Sequence, residues 1–131
     1  MKKKVEQVKL LKPKKVYLMA GINGVASKSV DEFGAQFETL LRLLRDQSPT
    51  AELIVFNLLP VNDKVFTISC NNEQIARCNE EIAFLCTQYG LCYVNLFSYY
   101  VKSGHLPKEI TTDGIHLTLE GYDKWYKILN T

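Results

Sequence analysis

Three short apolar runs, separated by two longer segments of helical periodicity, limit the folds that this chain can adopt. The runs lie at residues 14–21, 51–61 and 91–97, and each is too short to be an ordinary helix. The middle run is almost continuously apolar, which is typical of a parallel strand that is covered on both faces. Strands that alternate with helices predict a parallel sheet with right-handed crossovers. The sequence therefore predicts an α/β fold with about three parallel strands and flanking helices.

The helical segments carry recognisable start and stop residues. Ser29 and Glu32 have the spacing of a capping box, and Gly90 is a C-terminal stop for the second helix. Thr118 can cap a last helix. The two longer segments are predicted to be helices at residues 29–47 and 72–89. The apolar positions of the last helix are Leu119, Tyr122, Trp125, Tyr126 and Leu129.

Composition favours a single globular domain over residues 1–131. Of the 131 residues, 47% are hydrophobic and 23% are charged, and both values are ordinary for a globular protein. No apolar run approaches the roughly 20 residues of a membrane helix. The charged segment that follows the opening MKKK does not resemble the apolar part of a secretory signal. We therefore expect a soluble, cytoplasmic protein without a membrane partner.

The distribution of charge and of metal-binding residue types gives no indication of nucleic acid or metal binding. Seven of the sixteen Lys and Arg residues lie in the first fifteen positions, around a short helix predicted near residues 3–12, but no nucleic-acid motif accompanies them. The chain has four Cys without a C-x-x-C pair and only two His. We expect no nucleic-acid partner, no metal and no cofactor. Cys78, Cys86 and Cys92 lie in apolar patterns and are predicted to be buried, reduced thiols.

Polar residues follow each predicted strand. Asn23 lies in a Gly-rich turn after the first run, Asn62 follows the second run, and Asp113 and His116 lie in the loop beyond the third. In parallel α/β sheets, active sites form outside the carboxyl ends of the strands. The site is therefore expected at this edge, where Val61 and Asn62 are candidate residues of a substrate loop, with a plain loop as the alternative.

Asp113 and His116 have a spacing that suits acid–base chemistry. A carboxylate three residues before a histidine can accept a hydrogen bond from Nδ1, which fixes the tautomer and leaves Nε2 free as a general base. Asn23 could direct its amide group at a developing oxyanion. Each residue also has a simpler interpretation. Asp113 is then a capping residue beside a surface histidine, and Asn23 is a turn residue.

Two segments resemble sequence blocks of the SGNH hydrolases, also called GDSL esterases. The segment KPKKVYLMAGING, residues 12–24, is similar to that family's third block, which is usually Gly-x-Asn-Asp. Gly24 stands in place of the Asp of that block. The segment TTDGIHLTLEGY, residues 111–122, is similar to the fifth block, Asp-x-x-His followed by Gly. Residues 48–63 lie between them like the family's fourth strand and loop. The resemblance covers almost the whole chain.

The resemblance implies a three-layer αβα, flavodoxin-like fold and an ester hydrolase site. By position, His116 matches the family's general base, Asp113 its orienting acid and Asn23 its oxyanion donor, with Gly21 in the same turn. The family's Gly-Asp-Ser nucleophile block and its oxyanion-Gly block have no match. The resemblance therefore implies a truncated domain that is inactive alone, with a small acyl or acetyl ester as substrate if the site is complete.

No residue of the chain is predicted to replace the missing serine. Ser29 is explained as a helix cap and Ser27 as a turn residue. Cys70 would need a positively charged or histidine partner to become a reactive thiolate. Three hypotheses stay open, namely an incomplete esterase, half of an enzyme that is completed in trans, and a non-catalytic binding or assembly module with a vestigial site.

The predicted first strand has an uncovered edge. In the family's strand order, 2-1-3-4-5, residues 16–20 form strand 3, and the two preceding strands have no match in this chain. An exposed apolar edge strand is a template for pairing. We therefore expect Val16, Tyr17, Leu18 and Met19 to be poorly covered. The chain is expected to associate through residues 16–20, as a homo-oligomer, unless its N-terminal helix covers that edge.

Overall fold

The computed structural model describes residues 14–19, 29–62 and 71–129. The helix predicted near residues 3–12 and the last residue of the predicted edge strand, Ala20, lie outside the described residues.

Three parallel strands form the sheet of the described residues. Strand β1 spans Lys15–Leu18, β2 spans Glu52–Phe56 and β3 spans Cys92–Val94. The strand order is β1-β2-β3, so consecutive strands are also neighbours in the sheet. Tyr17 of β1 pairs with Ile54 of β2, and Val55 of β2 pairs with Tyr93 of β3. The predicted α/β fold with parallel strands is confirmed.

Two long helices cross between the strands as predicted. Helix α1 spans Val30–Gln47, and the side chain of Ser29 caps it by accepting a hydrogen bond from the backbone N–H of Glu32 at 3.1 Å. Helix α2 spans Asn72–Tyr89 and starts with a capping box at Asn71. It ends at Gly90, whose φ of 65° lies in the left-handed region that glycine adopts without a Cβ clash.

The segment after β3 contains helices where the sequence predicted more strand and a long loop. Helix α3 spans Leu96–Tyr100, a 3₁₀ turn spans Lys108–Ile110, and helix α4 spans Leu119–Leu129. Asn95 ends the strand because its side chain accepts a hydrogen bond from the backbone N–H of Ser98 and so starts a helix. The third apolar run therefore divides between a strand and a helix.

The sheet separates two apolar cores, which makes the fold three-layered. On one face, side chains of α1 and α2 pack on Leu53 and Val55. On the other face, Ile54 and Phe56 pack against α3, α4 and the segment around Leu106. Alternate residues of β2 thus point into opposite cores, which explains why its sequence is apolar throughout.

Two expectations about burial are wrong in part. Cys78 and Cys86 are buried, and burial raises the pKa of Cys86 to about 11, but Cys92 is exposed because it begins the edge strand β3. In β1, Leu18 is buried and Val16 and Met19 are half-buried against the cores, so only Tyr17 is mostly exposed. No helix in the described part of the chain is long and apolar enough to cross a membrane.

Candidate active site

Asp113 and His116 form a hydrogen-bonded pair in the loop before α4. The distance between Asp113 Oδ2 and His116 Nδ1 is 2.5 Å. The other carboxylate oxygen accepts hydrogen bonds from the backbone N–H groups of Ile115, at 2.9 Å, and His116, at 2.7 Å. Both oxygens of Asp113 are therefore engaged, and the carboxylate is fixed relative to the imidazole ring.

The electrostatics of the pair follow from these contacts. The hydrogen bond from His116 and the two backbone N–H groups hold the pKa of Asp113 well below its usual range, although the side chain is partly exposed. Asp113 is thus a carboxylate at neutral pH. With Nδ1 donating to it, the neutral imidazole presents Nε2 as an acceptor toward solvent.

Thr111 holds the backbone of this loop. Its buried hydroxyl donates to the carbonyl of His116 at 2.7 Å and accepts from the N–H of Gly114 at 2.9 Å. Gly114 has a φ of 86°, which allows the turn that brings Asp113 back to His116. The sequence pattern did not single out Thr111. The indication available was a hydroxyl residue two positions before the aspartate, where such residues often form local hydrogen bonds.

Asparagine side chains hold the segment that follows β2. Asn79 on α2 accepts from the N–H of Leu58 at 2.8 Å and donates to its carbonyl at 3.0 Å. Asn72 makes the same pair of hydrogen bonds to Val61, at 2.7 Å and 2.9 Å. These side-chain amides hydrogen-bond the backbone of Leu58 and Val61, as a neighbouring strand would. The two asparagines lie seven positions apart in α2, and asparagine is unfavourable in helices. This feature of the sequence could have revealed that they bind the neighbouring backbone.

The candidate substrate-loop residues occupy different positions. Val61 is buried and lines a cavity beside His116. Asn62 is also buried, and its backbone N–H donates to the carbonyl of Gly114 at 2.8 Å while its side chain donates to the carbonyl of Leu106 at 2.7 Å. Asn62 therefore connects the segment after β2 to the loop that carries the Asp–His pair.

The cavity beside His116 is small and mostly apolar. It has a volume of about 220 Å³ and lies at the carboxyl ends of β1 and β2. Among the described residues that line it, His116 and Tyr122 have ionisable side chains. The apolar lining comes from the ends of the two strands, the Asp–His loop and α4, and includes Met19, Leu58, Val61, Ile115, Leu117 and Trp125.

A larger cavity, of about 710 Å³, lies at the opposite end of the sheet. It is lined by residues at the starts of β2 and β3, including Glu52 and Cys92, and by the end of α1. Active sites of parallel α/β proteins form at the carboxyl ends of the strands, where the Asp–His pair lies. The smaller cavity is therefore the candidate substrate site in spite of its size.

The predicted oxyanion residues lie outside the described residues. This applies to Gly21 and Asn23, and also to Ser27 and Cys70, which were considered as substitute nucleophiles. Of the predicted site, the structure thus brings together Asp113, His116, Val61 and Asn62. Within the described segments, no three His, Cys, Asp or Glu side chains are grouped so that they could hold a metal ion.

Comparison with known proteins decides the family. A model of the GDSL-like lipase/acylhydrolase family matches residues 1–124. The chain belongs to this family. The match includes both the first strand and the Asp113–His116 loop, as the SGNH resemblance implied.

Solved structures share the fold. A structure described as a platelet activating factor from Streptococcus pneumonia has a TM-score of 0.80 and 29% identity over 89% of this chain and 58% of that chain. A GDSL-like lipase from Bacteroides thetaiotaomicron has a TM-score of 0.77 and 24% identity, over 92% of this chain and 62% of that chain. The chain therefore spans about three fifths of these structures.

A curated relative is much longer. N-acylneuraminate cytidylyltransferase of Streptococcus agalactiae serotype V is 26% identical over 108 residues, which are 82% of this chain and 25% of that protein. The chain thus spans a quarter of the length of this relative.

Proposed function

We propose that this chain carries the acid–base part of an SGNH-type ester hydrolase site. The observation that carries the proposal is the 2.5 Å contact between Asp113 Oδ2 and His116 Nδ1 at the carboxyl end of the sheet, beside an apolar cavity. Membership of the GDSL-like lipase/acylhydrolase family supports the same chemistry. Asp113 orients the ring of His116 and stabilises its protonated form, and His116 is the general base.

The proposed reaction needs one proton acceptor and a hydroxyl nucleophile. Nε2 of His116 takes the proton of the hydroxyl as its oxygen bonds to the ester carbonyl carbon. His116 then gives that proton to the departing alcohol oxygen as the ester bond breaks. Water attacks the acyl intermediate in the same way, with His116 accepting and returning the proton, and the free acid leaves. Asn23 and Gly21 are proposed to stabilise the oxyanion.

The proposed substrate is a small acyl or acetyl ester. The cavity beside His116 has room for a small group, and its lining is mostly apolar, which suits an acyl chain better than a charged one. A structure of a peptidoglycan O-acetylesterase shares the fold at a TM-score of 0.78 and 12% identity. The cytidylyl transfer in the name of the longer relative is not assigned to this chain, because the match covers a quarter of that protein.

The chain is proposed to be inactive alone. In the family the nucleophile is a serine in a Gly-Asp-Ser block, and the sequence has no such block. A second candidate function is a non-catalytic binding or assembly module, which the exposed apolar side chains of α4 favour. A third is half of an enzyme whose serine comes from another chain. The site is proposed to need no cofactor and to work in the cytoplasm.

Hydrolysis of p-nitrophenyl acetate tests this proposal. We expect the purified chain to release nitrophenol no faster than a chain in which His116→Ala removes the base. His105→Ala is the matched control, because it removes the other histidine of the sequence, which does not line the cavity beside His116. Catalytic turnover that His116→Ala abolishes and His105→Ala retains would overturn the proposed inactivity.

The role of the Asp–His pair is tested separately by proton NMR. A strong hydrogen bond between Nδ1 of His116 and Asp113 shifts the Nδ1 proton far downfield. We expect this resonance in the unmodified chain and in His105→Ala, and its loss in Asp113→Asn. A downfield resonance that Asp113→Asn retains would contradict the proposed acid–base pair, whatever the result of the ester assay.

A further inference from the structure

Helix α4 carries an exposed apolar stripe. Leu119, Tyr122, Tyr126 and Leu129 are 89%, 52%, 66% and 45% exposed. They follow one another at intervals of three, four and three residues, which places them on one face of the helix. This is the spacing of the a and d positions of a coiled coil. We call these four residues the α4 stripe.

A different face of the same helix is already packed on the sheet. Gly121 is buried, and Trp125 and Ile128 pack against the core that contains Phe56. The apolar arc of α4 is therefore wider than the surface that the sheet covers. A helix with an apolar surface on two adjacent faces has room for a second neighbour. The α4 stripe accordingly has the character of an interface.

Ring contacts connect the α4 stripe to the core of the sheet. The ring of Tyr122 stacks on Trp125 with centroids 6.4 Å apart, and Trp125 meets Phe56 edge-on at 5.4 Å. Phe56 in turn stacks on Tyr17 at 5.9 Å. Phe56 is buried, so Tyr17, which is 53% exposed at one edge of the described sheet, is separate from the α4 stripe.

We propose that the α4 stripe is the interface with a second copy of this chain, with the two α4 helices packed antiparallel about a two-fold axis. In that arrangement, Leu119 lies opposite Leu129 of the other copy, and Tyr122 lies opposite Tyr126. Each of these contacts then occurs twice, as in any two-fold interface, and side chains of like size meet in both. The proposal is independent of the proposed ester hydrolysis.

The charges on α4 agree with this arrangement. Helical geometry places Lys124 on the side opposite the α4 stripe, and its ammonium group donates to the carbonyl of Tyr99 in its own chain. Asp123 and Lys127 form an ion pair within the helix at 3.2 Å. The stripe itself has no charged member, so like charges are not forced together across the two-fold axis.

The exposed area suits a weak dimer. The four side chains of the α4 stripe present on the order of 500 Å² per chain, or about 1,000 Å² in total, which is the low end for a specific interface. Tyr122 also lines the cavity beside His116. A second copy on the α4 stripe would therefore lie next to the opening of that cavity.

Sedimentation velocity over a range of concentrations tests the proposal. We expect the unmodified chain to dimerise and Tyr126→Glu to weaken the dimer about tenfold or more, as for removal of an interface hot spot. Phe84→Glu is the matched control, since Phe84 on α2 is 63% exposed, close to the 66% of Tyr126, but lies outside the α4 stripe. Phe84→Glu should dimerise like the unmodified chain.

A pair of double variants tests the two-fold geometry. Antiparallel packing places residue 122 opposite residue 126 of the other copy. Tyr122→Glu with Tyr126→Lys should therefore dimerise more tightly than Tyr122→Glu with Tyr126→Glu. Circular dichroism of each variant shows whether it folds, and all four positions of the stripe are exposed enough for substitution without loss of the core.

Three results would overturn the proposal. The first is a chain that stays monomeric at all concentrations, including one that instead binds phospholipid vesicles through these residues. The second is a dimer that Tyr126→Glu and Phe84→Glu affect equally. The third is equal dimerisation of the two double variants, because the antiparallel register predicts Glu–Lys contacts in one variant and Glu–Glu contacts in the other.

Discussion

At the scale of single residues, the site depends on side chains that hydrogen-bond the backbone of their own loop. Asp113 accepts two backbone N–H groups besides its bond to His116, and Thr111 connects the ends of the turn around Gly114. Such local contacts fix the carboxylate without burying it. A charged pair can therefore stay exposed to a substrate and still keep one geometry.

The first prediction concerns the protonation of Asp113. The pKa of its carboxyl lies below the ordinary value of about 3.9, chiefly because of the hydrogen bond from His116. A ¹³C NMR titration of the carboxyl carbon should therefore show no midpoint near pH 4. His116→Ala should move the midpoint back toward the ordinary value. An unchanged midpoint in His116→Ala would show that His116 is not the main cause.

The sign of the stability effect follows from the same shift. Because the folded-state pKa of Asp113 is depressed, its contribution to stability is complete above the unfolded-state value of about 3.9 and is lost as the pH falls through the folded-state value. Asp113→Asn lacks this contribution at every pH. The stability difference between the two chains, measured by urea unfolding, should therefore shrink as the pH falls below about 4.

The second prediction concerns Thr111. Thr111→Val keeps the shape of the side chain but leaves the N–H of Gly114 and the carbonyl of His116 without their hydroxyl partner. We expect a loss of roughly 1–3 kcal/mol in the free energy of unfolding, measured with urea. Thr112→Val is the matched control, because Thr112 is exposed, and it should change stability by less than about 0.5 kcal/mol. Equal effects would contradict the role of Thr111.

At the scale of secondary-structure elements, helix α4 packs directly against the 3₁₀ turn that precedes the Asp–His loop. Helix α4 approaches the 3₁₀ turn so closely that Gly121 faces the carbonyl of Ile110, and the hydroxyl of Tyr100 donates to the carbonyl of Gly121 at 2.6 Å. This approach fixes α4 directly after the Asp–His loop. The position of His116 thus depends on a glycine in the following helix.

The third prediction compares two helical glycines. A Cβ added at Gly121 would lie 2.9 Å from Cβ of Leu117 and 3.1 Å from the carbonyl oxygen of Ile110. Gly121→Ala should therefore destabilise the chain by about 1–3 kcal/mol, as overpacking does. At Gly34 in α1, the nearest atom is a side-chain oxygen of Glu81 at 3.2 Å, which can move.

Gly34→Ala should consequently be neutral or stabilise the chain by up to roughly 1 kcal/mol through its higher helix propensity. Thermal and urea unfolding of both variants measure the difference. A Gly121→Ala chain as stable as Gly34→Ala would show that α4 can move away from the 3₁₀ turn, and would remove the close approach as a constraint on the site.

At the scale of the whole molecule, the exposed α4 stripe links stability to association. If a second copy covers the stripe, folding and dimerisation are coupled by mass action. The fourth prediction is that the thermal unfolding midpoint rises with protein concentration. The midpoint of Tyr126→Glu should be nearly independent of concentration, whereas that of Phe84→Glu should follow the unmodified chain. A midpoint independent of concentration in the unmodified chain would contradict the coupling.

The regular parts of this fold could be predicted because local physics determines them. Ser29 begins α1 and Gly90 ends α2 where the sequence indicated, since a cap needs only its own turn. The parallel sheet follows from the alternation of strands and helices. The third run was harder, because the strand Cys92–Val94 and the helix Leu96–Tyr100 are both apolar and periodicity over so few residues does not separate them.

The burial of individual side chains was less predictable. The sequence identified the apolar positions of α4 but not which of them meet the sheet: Trp125 packs on Phe56, while Leu119 and Tyr126 are exposed. Which part of an apolar arc meets the sheet depends on the rotation of the helix. That rotation is set by the close contact at Gly121 and by Tyr100, which come from distant parts of the chain.

By itself, the sequence determined the alternation of three strands with two long helices, the parallel sheet, the family and the identity of the Asp113–His116 pair, because spacing and local hydrogen bonding are encoded within short segments. Only the tertiary structure decided that Asn79 and Asn72 replace a strand beside Leu58 and Val61, and that Asn62 ties this segment to the Asp–His loop. It also decided which face of α4 is exposed. These features join residues that are far apart in sequence, and only the packing of the elements brings them together.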